Sequence, residues 1–170
     1  MLGTLHARDD GRFELCFERR LLHPVAKVWR AITEADQLRA WFPASVDVDP
    51  TVGAKLRFDL APESRTRHGV RDEDMTLYGE VTAADPPRLL EYTWDEEVLR
   101  WQLEPIYGGC LLRFTHIVDD RALAAGAGAG WHATFEALDA LLGGRPMHRM
   151  ALFDRADELA STYAGQYGAG

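Results

Sequence analysis

Three consecutive apolar segments, RLLEYTW, VLRWQLEP and CLLRFTHIV, constrain the fold of this chain more than any other feature. The acidic DEE turn between the first two segments pairs Trp94 with Leu99. The same register places Tyr92 opposite Trp101, so the aromatic residues of both segments share one side. Because side chains alternate along a strand, the polar residues of both segments then share the other side.

The IYGG turn joins the second and third segments in a similar way. It brings three pairs of residues together: Leu103 with Leu112, Trp101 with Phe114, and Leu99 with His116. One register thus collects the bulky side chains of all three segments on one face, and a slip of one residue would invert that face. The pattern predicts an antiparallel meander with one aromatic face and one polar face.

The rest of the chain predicts a mixed α+β domain around this meander. Residues 12–20, RFELCFERR, alternate as a half-buried strand does. Two short helices are predicted next, in HPVAKVWRAI and ADQLRAWF, and Pro24 suits the first turn of the earlier one. Further strands are predicted at SVDVD, AKLRFDL and MTLYGEVTA, whereas residues 61–74 are predicted to be a long polar connection without secondary structure.

A long C-terminal helix can supply the cover that the aromatic face needs. Its large apolar residues recur at helical spacing: Trp131, Phe135, Leu138 and Leu142. We expect Asp119 or Asp120 to be its N-cap, and Gly143 to mark its end. A further helix is predicted at about residues 149–167.

The first turns of this long helix contain the glycine-rich stretch AAGAGAGWHA, residues 124–133. GAGWHA fits the loosest dinucleotide-binding pattern, but such a site needs a parallel strand before the glycines and another strand after them. Here the preceding strand belongs to the antiparallel meander and no strand follows, so we reject a nucleotide site. Gly126 and Gly130 share one helix face, which lets the helix approach the sheet closely or leaves room for a ligand. An irregular first turn is the alternative.

The charge balance argues against nucleic acid and membranes as partners. There are 27 acidic and 19 basic residues, which give a net charge of −8. No apolar run approaches the ~18 residues of a membrane span, and the N-terminus lacks a signal-peptide pattern. Cys16 and Cys110 lack CxxC spacing, so we expect reduced thiols and a cytoplasmic location.

Four stretches, in this order, resemble the START-like (SRPBCC) superfamily: HPVAKVWRAITEADQLRAWF, YGEVTAADPPRLLEYTW, VLRWQLEPIYGGCLLRFTH and AGWHATFEALDALLGG. Within it, the chain is most similar to bacterial homologues of the C-terminal domain of the heat-shock chaperone ATPase activator. The resemblance implies a helix-grip fold, in which a curved antiparallel sheet of about six or seven strands wraps around the long C-terminal helix, with two short helices after the first strand. It implies one START-like domain over residues 1–170, with its core at residues 12–144 and an extra helix at about residues 149–167. A cavity is expected between the sheet and the long helix.

The expected cavity defines the candidate ligand-binding residues. They are Tyr92, Trp94, Leu99, Trp101, Leu112, Phe114, His116, Trp131 and Phe135. His116 is the candidate for acid–base catalysis, with Tyr92 as a helper, because the register places an imidazole on an otherwise apolar face. The alternative is a structural histidine that is hydrogen-bonded to backbone or to the long helix. The sequence contains no metal-ligand or nucleophile motif, so we expect no metal and no cofactor.

Three functions are compatible with these observations. We favour the binding of a small hydrophobic or aromatic ligand in the cavity, gated by residues 61–74. The second hypothesis is an enzyme of the cyclase or dehydratase type that uses His116. The third is a module that contacts a chaperone, although that role in eukaryotic relatives involves a larger protein with an additional domain. An exposed apolar patch would favour the chaperone module or a homodimer, and Trp29 together with Trp41-Phe42-Pro43 is the candidate for such a patch. We interpret the chain as a binding protein rather than an enzyme.

Overall fold

The computed structural model describes residues 1–168, apart from the side chains of residues 67 and 68. Eight strands lie in that part of the chain: β1 Thr4–Ala7, β2 Phe13–Leu21, β3 Ala44–Ser45, β4 Lys55–Leu60, β5 Thr76–Asp85, β6 Leu89–Trp94, β7 Glu97–Ile106 and β8 Gly109–Val118. The same part holds five α-helices: α1 Val25–Thr33, α2 Ala35–Trp41, α3 Glu63–His68, α4 Arg121–Leu142 and α5 Arg149–Tyr167.

All eight strands form one curved antiparallel sheet in the order β1-β2-β8-β7-β6-β5-β4-β3. The helices α1 and α2 follow β2, and the 22-residue helix α4 crosses the concave side of the sheet. This arrangement confirms the predicted α+β helix-grip fold. The sheet is larger than the predicted six or seven strands, because β1 pairs with β2 at an edge where we predicted no strand.

The two hairpins of the meander test the predicted register. Between β7 and β8 all three predicted pairs are confirmed. Between β6 and β7 the prediction was wrong by two residues, since Tyr92 lies opposite Leu99 and Trp94 lies opposite Glu97. The reason is a tighter turn: Asp95 adopts a positive φ of 54° and lets the chain reverse within two residues. A shift by an even number of residues leaves every side chain on its predicted face of the sheet, so the predicted aromatic face is still correct.

Two other local predictions were wrong. The segment SVDVD is not a strand, because only Ala44–Ser45 pair with β4. The connection over residues 61–74 is not structureless, since it contains α3 and a 3₁₀ turn at Asp72–Asp74. Gly69 ends α3 in the left-handed conformation, which is the usual helix stop at glycine.

The interior between the sheet and α4 is filled by aromatic rings. The ring centroid of Phe114 lies 4.4 Å from that of Trp101, 4.5 Å from Trp131 and 5.2 Å from Phe135. These distances are the usual range for packed aromatic pairs. The aromatic face of the meander is therefore covered by α4 as predicted, and rings from both sides close the space between them.

Helix α4 begins at the predicted N-cap, where the Asp120 carboxylate accepts a hydrogen bond from the Ala122 N–H at 2.8 Å. After a short turn, α5 folds back against α4. Within residues 1–168, no helix combines the length and apolar character that crossing a bilayer requires.

Candidate functional site

A pocket of about 480 Å³ lies where one end of the sheet, α4 and α5 meet. It is partly open to solvent, and its surface is mainly apolar. The sheet contributes Trp94 and His116, the segment after α2 contributes Pro43, and helix α3 contributes Ser64. The helices α4 and α5 contribute Gly126, Ala127, Ala129, Gly130, Trp131, Thr134, Arg149, Leu152, Phe153, Ala156, Asp157 and Ala160. A concave, mostly apolar surface with a few polar groups is typical of small-molecule sites.

The wall formed by α4 is open because side chains are missing there. A Cβ atom built on Gly126 or Gly130 meets no atom within 4 Å other than those of its chain neighbours and the adjoining helix backbone. Gly128 differs, since its Cβ would lie 2.7 Å from the Tyr163 ring of α5. Close helix packing therefore explains the glycine at position 128. At positions 126 and 130 the glycines leave empty space, which was one of the two packing roles that the sequence suggested.

Helix α5 forms another wall of the pocket. Its pocket residues recur at helical spacing, and some of them are also small. Ala156 and Ala160 face the pocket beside the larger Leu152 and Phe153. Sequence reasoning assigned no site residue to this helix. The available signal was the i, i+4, i+8 spacing of Leu152, Ala156 and Ala160, but spacing alone does not tell which neighbour a helix face will meet.

Arg149 at the start of α5 is a second residue that the sequence analysis missed. Its two terminal nitrogens donate hydrogen bonds to the carbonyl oxygens of Phe42 and Arg39, at 2.8 and 3.0 Å. These bonds fasten the first turn of α5 to the end of α2. Burial lowers the pKa of Arg149, and the charge of Glu63 on α3 partly offsets that effect.

His116 projects from β8 to the inner end of the pocket, where it is 7% exposed. Its Nδ1 accepts a hydrogen bond from the indole Nε1–H of Trp131 at 2.9 Å. Its Nε2 lies 2.5 Å from a carboxylate oxygen of Glu97, although these two buried atoms do not meet hydrogen-bond geometry. Because Nδ1 is an acceptor, the neutral ring carries its proton on Nε2, toward Glu97. Both ring nitrogens thus face protein groups.

The structure brings three of the nine predicted ligand-binding residues to the pocket: Trp94, His116 and Trp131. The other six lie in the packed core and do not line it: Tyr92, Leu99, Trp101, Leu112, Phe114 and Phe135. Each of the six is at most 2% exposed. The difference arises because large rings fill the space between the sheet and α4, whereas room remains beside the glycines of α4.

Tyr92 does not converge with His116 in this pocket. It is fully buried, and its hydroxyl oxygen accepts a hydrogen bond from the Trp101 Nε1–H at 3.1 Å. Burial raises the pKa of Tyr92, because its phenolate would have to lose its hydration in the core. The residue is placed to satisfy the indole of Trp101.

The remaining reactive groups lie apart from the pocket. Cys16 and Cys110 are free thiols, and burial raises the pKa of each one, which keeps it in the unreactive thiol form. Among the described residues, no three His, Cys, Asp or Glu side chains come together in a way that could hold a metal ion.

Comparison with known proteins gives one family and several similar structures. Residues 22–143 match the family described as activator of Hsp90 ATPase homolog 1-like protein. Among curated proteins, none matches the sequence.

Three solved structures illustrate the shared fold. CalU16 from Micromonospora echinospora is 19% identical, with a TM-score of 0.69 over 97% of this chain and 95% of that chain. EF2215 from Enterococcus faecalis, described as a conserved protein of unknown function, is 17% identical, with a TM-score of 0.71 over 96% and 89%. MLL2253 from Mesorhizobium loti is 28% identical, with a TM-score of 0.64 over 79% and 99%.

Proposed function

The chain belongs to the activator of Hsp90 ATPase homolog 1-like family, as its resemblance to that group predicted, and we propose that it binds a small apolar or aromatic molecule in the pocket beside α4. Membership of a family does not fix an activity, so the argument rests on the site itself. The proposal places the ligand between the end of the sheet, α4 and α5.

The observation that carries this proposal is the contrast among the glycines of α4. Each glycine in a helix interior costs about 1 kcal/mol relative to alanine. Gly128 is explained by its contact with Tyr163, but nothing packs against Gly126 or Gly130. The helix therefore gives up stability while this space stays open, and Trp94 and Trp131 border the space. Both features are expected of a surface that binds an apolar ligand.

The enzyme hypothesis receives less support from the same site. A general acid or base needs a nitrogen that can reach the substrate, and both nitrogens of His116 face Trp131 and Glu97. Tyr92, its expected helper, lies in the core. The chaperone and homodimer hypotheses stay predictions, since no contact among the described residues favours either one.

The proposal can be tested with N-phenyl-1-naphthylamine, a neutral aromatic probe that becomes fluorescent in apolar surroundings. We expect the wild-type protein to bind it saturably and to quench the emission of Trp94 and Trp131. Gly130→Leu should weaken binding by about tenfold or more, because its side chain enters the pocket, and tenfold corresponds to about 1.4 kcal/mol. The helix should tolerate leucine well.

The matched control is Gly165→Leu, which makes the same change at an exposed position of α5 outside the pocket. This control should bind the probe as the wild type does. Equal binding by wild type and Gly130→Leu, with both proteins folded, would show that the pocket does not receive the probe.

A further inference from the structure

We propose that α5 is a lid over the pocket and that His132 is its latch, so that protonation of His132 releases α5. This inference rests on the proposed function in one respect, since the lid regulates the same site. The coupling between His132 and α5 can be measured without any ligand.

Helix α5 has the position that a lid requires. It lies outside residues 22–143, the part of the chain that matches the family. Leu152, Phe153, Ala156 and Ala160 of this helix form one wall of the pocket. The family core and the added helix therefore share the pocket, and movement of α5 would open it.

The latch joins α4, α5 and the start of the chain through one hydroxyl group. Tyr163 of α5 is fully buried, and its hydroxyl oxygen accepts a hydrogen bond from the Gly3 N–H at 2.9 Å. The same hydroxyl lies 2.8 Å from Nδ1 of His132 on α4. The hydroxyl can donate its proton to Nδ1 while its oxygen accepts the bond from Gly3, and in this arrangement Nδ1 is the unprotonated nitrogen.

Two further hydrogen bonds hold Gly3 beside α5. The Tyr167 hydroxyl donates to the Gly3 carbonyl oxygen at 2.7 Å, and the Gln166 amide donates to it at 2.8 Å. The last turns of α5 are therefore fastened to the chain start, and His132 of α4 joins this arrangement through the Tyr163 hydroxyl. Two other residues of α4 contact α5 separately, since Arg121 donates to the Tyr167 carbonyl oxygen and Glu136 accepts from Arg155.

Charged groups on the elements around His132 influence its pKa. Glu136 on the same helix lies 3.4 Å from its Nε2, but Arg155 of α5 also pairs with that carboxylate. Arg19 of β2 and the amino terminus of Met1 add positive charge nearby. The side chain of His132 is 11% exposed, and burial followed by the charge of Arg19 lowers its pKa, while Glu136 opposes the shift.

Protonation of His132 would place two hydrogen-bond donors opposite each other. A proton on Nδ1 would face the hydroxyl proton of Tyr163, which would have to rotate away inside a buried site. Since the pKa of His132 is lowered in the closed form, that form binds protons less well than a form in which α5 has moved away. Acid therefore favours the open form as the pH falls below about 6.5, where a free imidazole titrates.

The experiment compares wild type with His132→Asn at pH 7.5 and pH 5. Asparagine places an amide oxygen near the position of Nδ1, so it can accept from Tyr163 and cannot titrate. Two quantities are measured: amide hydrogen exchange of α5, corrected for the intrinsic effect of pH, and affinity for N-phenyl-1-naphthylamine. In wild type we expect faster exchange of α5 and weaker probe binding at pH 5. Each change should be at most about 30-fold, because pH 5 lies about 1.5 units below the pKa of a free imidazole. His132→Asn should keep both quantities nearly unchanged.

A control variant separates the two histidines that contact α5. His148 is exposed, and its Nδ1 accepts from the Met150 N–H as the N-cap of α5. His148→Asn preserves a good cap, so its response to acid should match that of wild type. If His132→Asn does not fold, Tyr163→Phe replaces it, since removal of the hydroxyl also removes the donor conflict.

The outcomes distinguish the latch from the pocket. Probe binding at pH 7.5 with no change in α5 exchange or affinity at pH 5 would overturn the latch and leave the proposed function intact. An equal acid response in wild type and His132→Asn would also overturn it. If the probe fails to bind even at pH 7.5, the proposed function fails, and the exchange of α5 alone then decides for or against the latch.

Discussion

The two sides of α4 differ in what occupies the space beside them. Toward the sheet, Trp131 and Phe135 meet Trp101 and Phe114, and their ring centroids lie within about 6 Å of one another. Toward the mouth of the pocket, the same helix presents glycine and alanine, and about 480 Å³ stays open. The open space in this protein adjoins the small residues of α4, whereas aromatic rings occupy the space around Phe114.

The largest expected effect tests the filled side. Trp101→Ala removes a fully buried indole that packs against Phe114 at 4.4 Å and Trp41 at 5.7 Å. We expect the free energy of unfolding to fall by about 3–5 kcal/mol, the usual cost of deleting a core aromatic residue. Urea denaturation measures the loss.

Trp94→Ala provides the matched comparison for that variant. Trp94 is half-buried and borders the pocket, so part of its surface already lacks protein contacts. Its truncation should cost clearly less stability than Trp101→Ala while weakening the binding of the aromatic probe. Equal losses of stability in the two variants would remove the distinction between the two sides of α4.

The second prediction concerns His116, which lies on the boundary between the two sides. His116→Ala leaves the Trp131 N–H without its acceptor and the buried Glu97 oxygen without its neighbour. We expect a loss of about 2–3 kcal/mol in the free energy of unfolding, because unpaired buried polar groups keep their full desolvation cost. His116→Asn should recover part of the loss, since its amide oxygen can accept from Trp131.

A small response to His116→Ala would change the interpretation of the site. A loss below about 0.5 kcal/mol, the range of ordinary surface substitutions, would mean that the contacts with Trp131 and Glu97 do not hold this region together. His116 would then be free to act on a ligand, which would strengthen the enzyme hypothesis.

These variants also show how much could be predicted from the sequence. The pairing of β7 with β8 followed from the alternation of large side chains, and side-chain parity protected the aromatic face even where the β6–β7 register was wrong by two residues. A pattern repeated along three strands overdetermines the fold. The turn at Asp95 has no repeated pattern of this kind, because its positive φ is a property of one residue.

The pocket was harder to predict for a physical reason. Gly126, Gly128 and Gly130 are equivalent in sequence, but only Gly128 contacts Tyr163. Their difference depends on how α5 docks, and an amphipathic pattern does not specify the partner of a helix face. The prediction therefore named the rings of the core as ligand contacts, and it missed the wall that α5 provides.

The third prediction separates these glycines by experiment. In Gly128→Ala the new methyl group would lie 2.7 Å from the Tyr163 ring, and that ring is fully buried and cannot swing away. We expect a loss of about 1–2 kcal/mol in thermal or urea unfolding, because forced overpacking outweighs the better helix propensity of alanine. Unchanged stability would mean that α5 can shift along α4 without cost.

The smallest effect has the opposite sign and tests the open side most directly. Gly126→Ala adds a methyl group where no atom beyond its chain neighbours and the adjoining helix backbone lies within 4 Å, so only the helix propensity should change. We expect the free energy of unfolding to rise by up to about 1 kcal/mol, as is usual for alanine at a compatible helical position. A loss of stability would instead show that the helix needs glycine there for its own conformation. A gain, set against the loss in Gly128→Ala, would show that this helix gives up stability at position 126 to keep its surface bare.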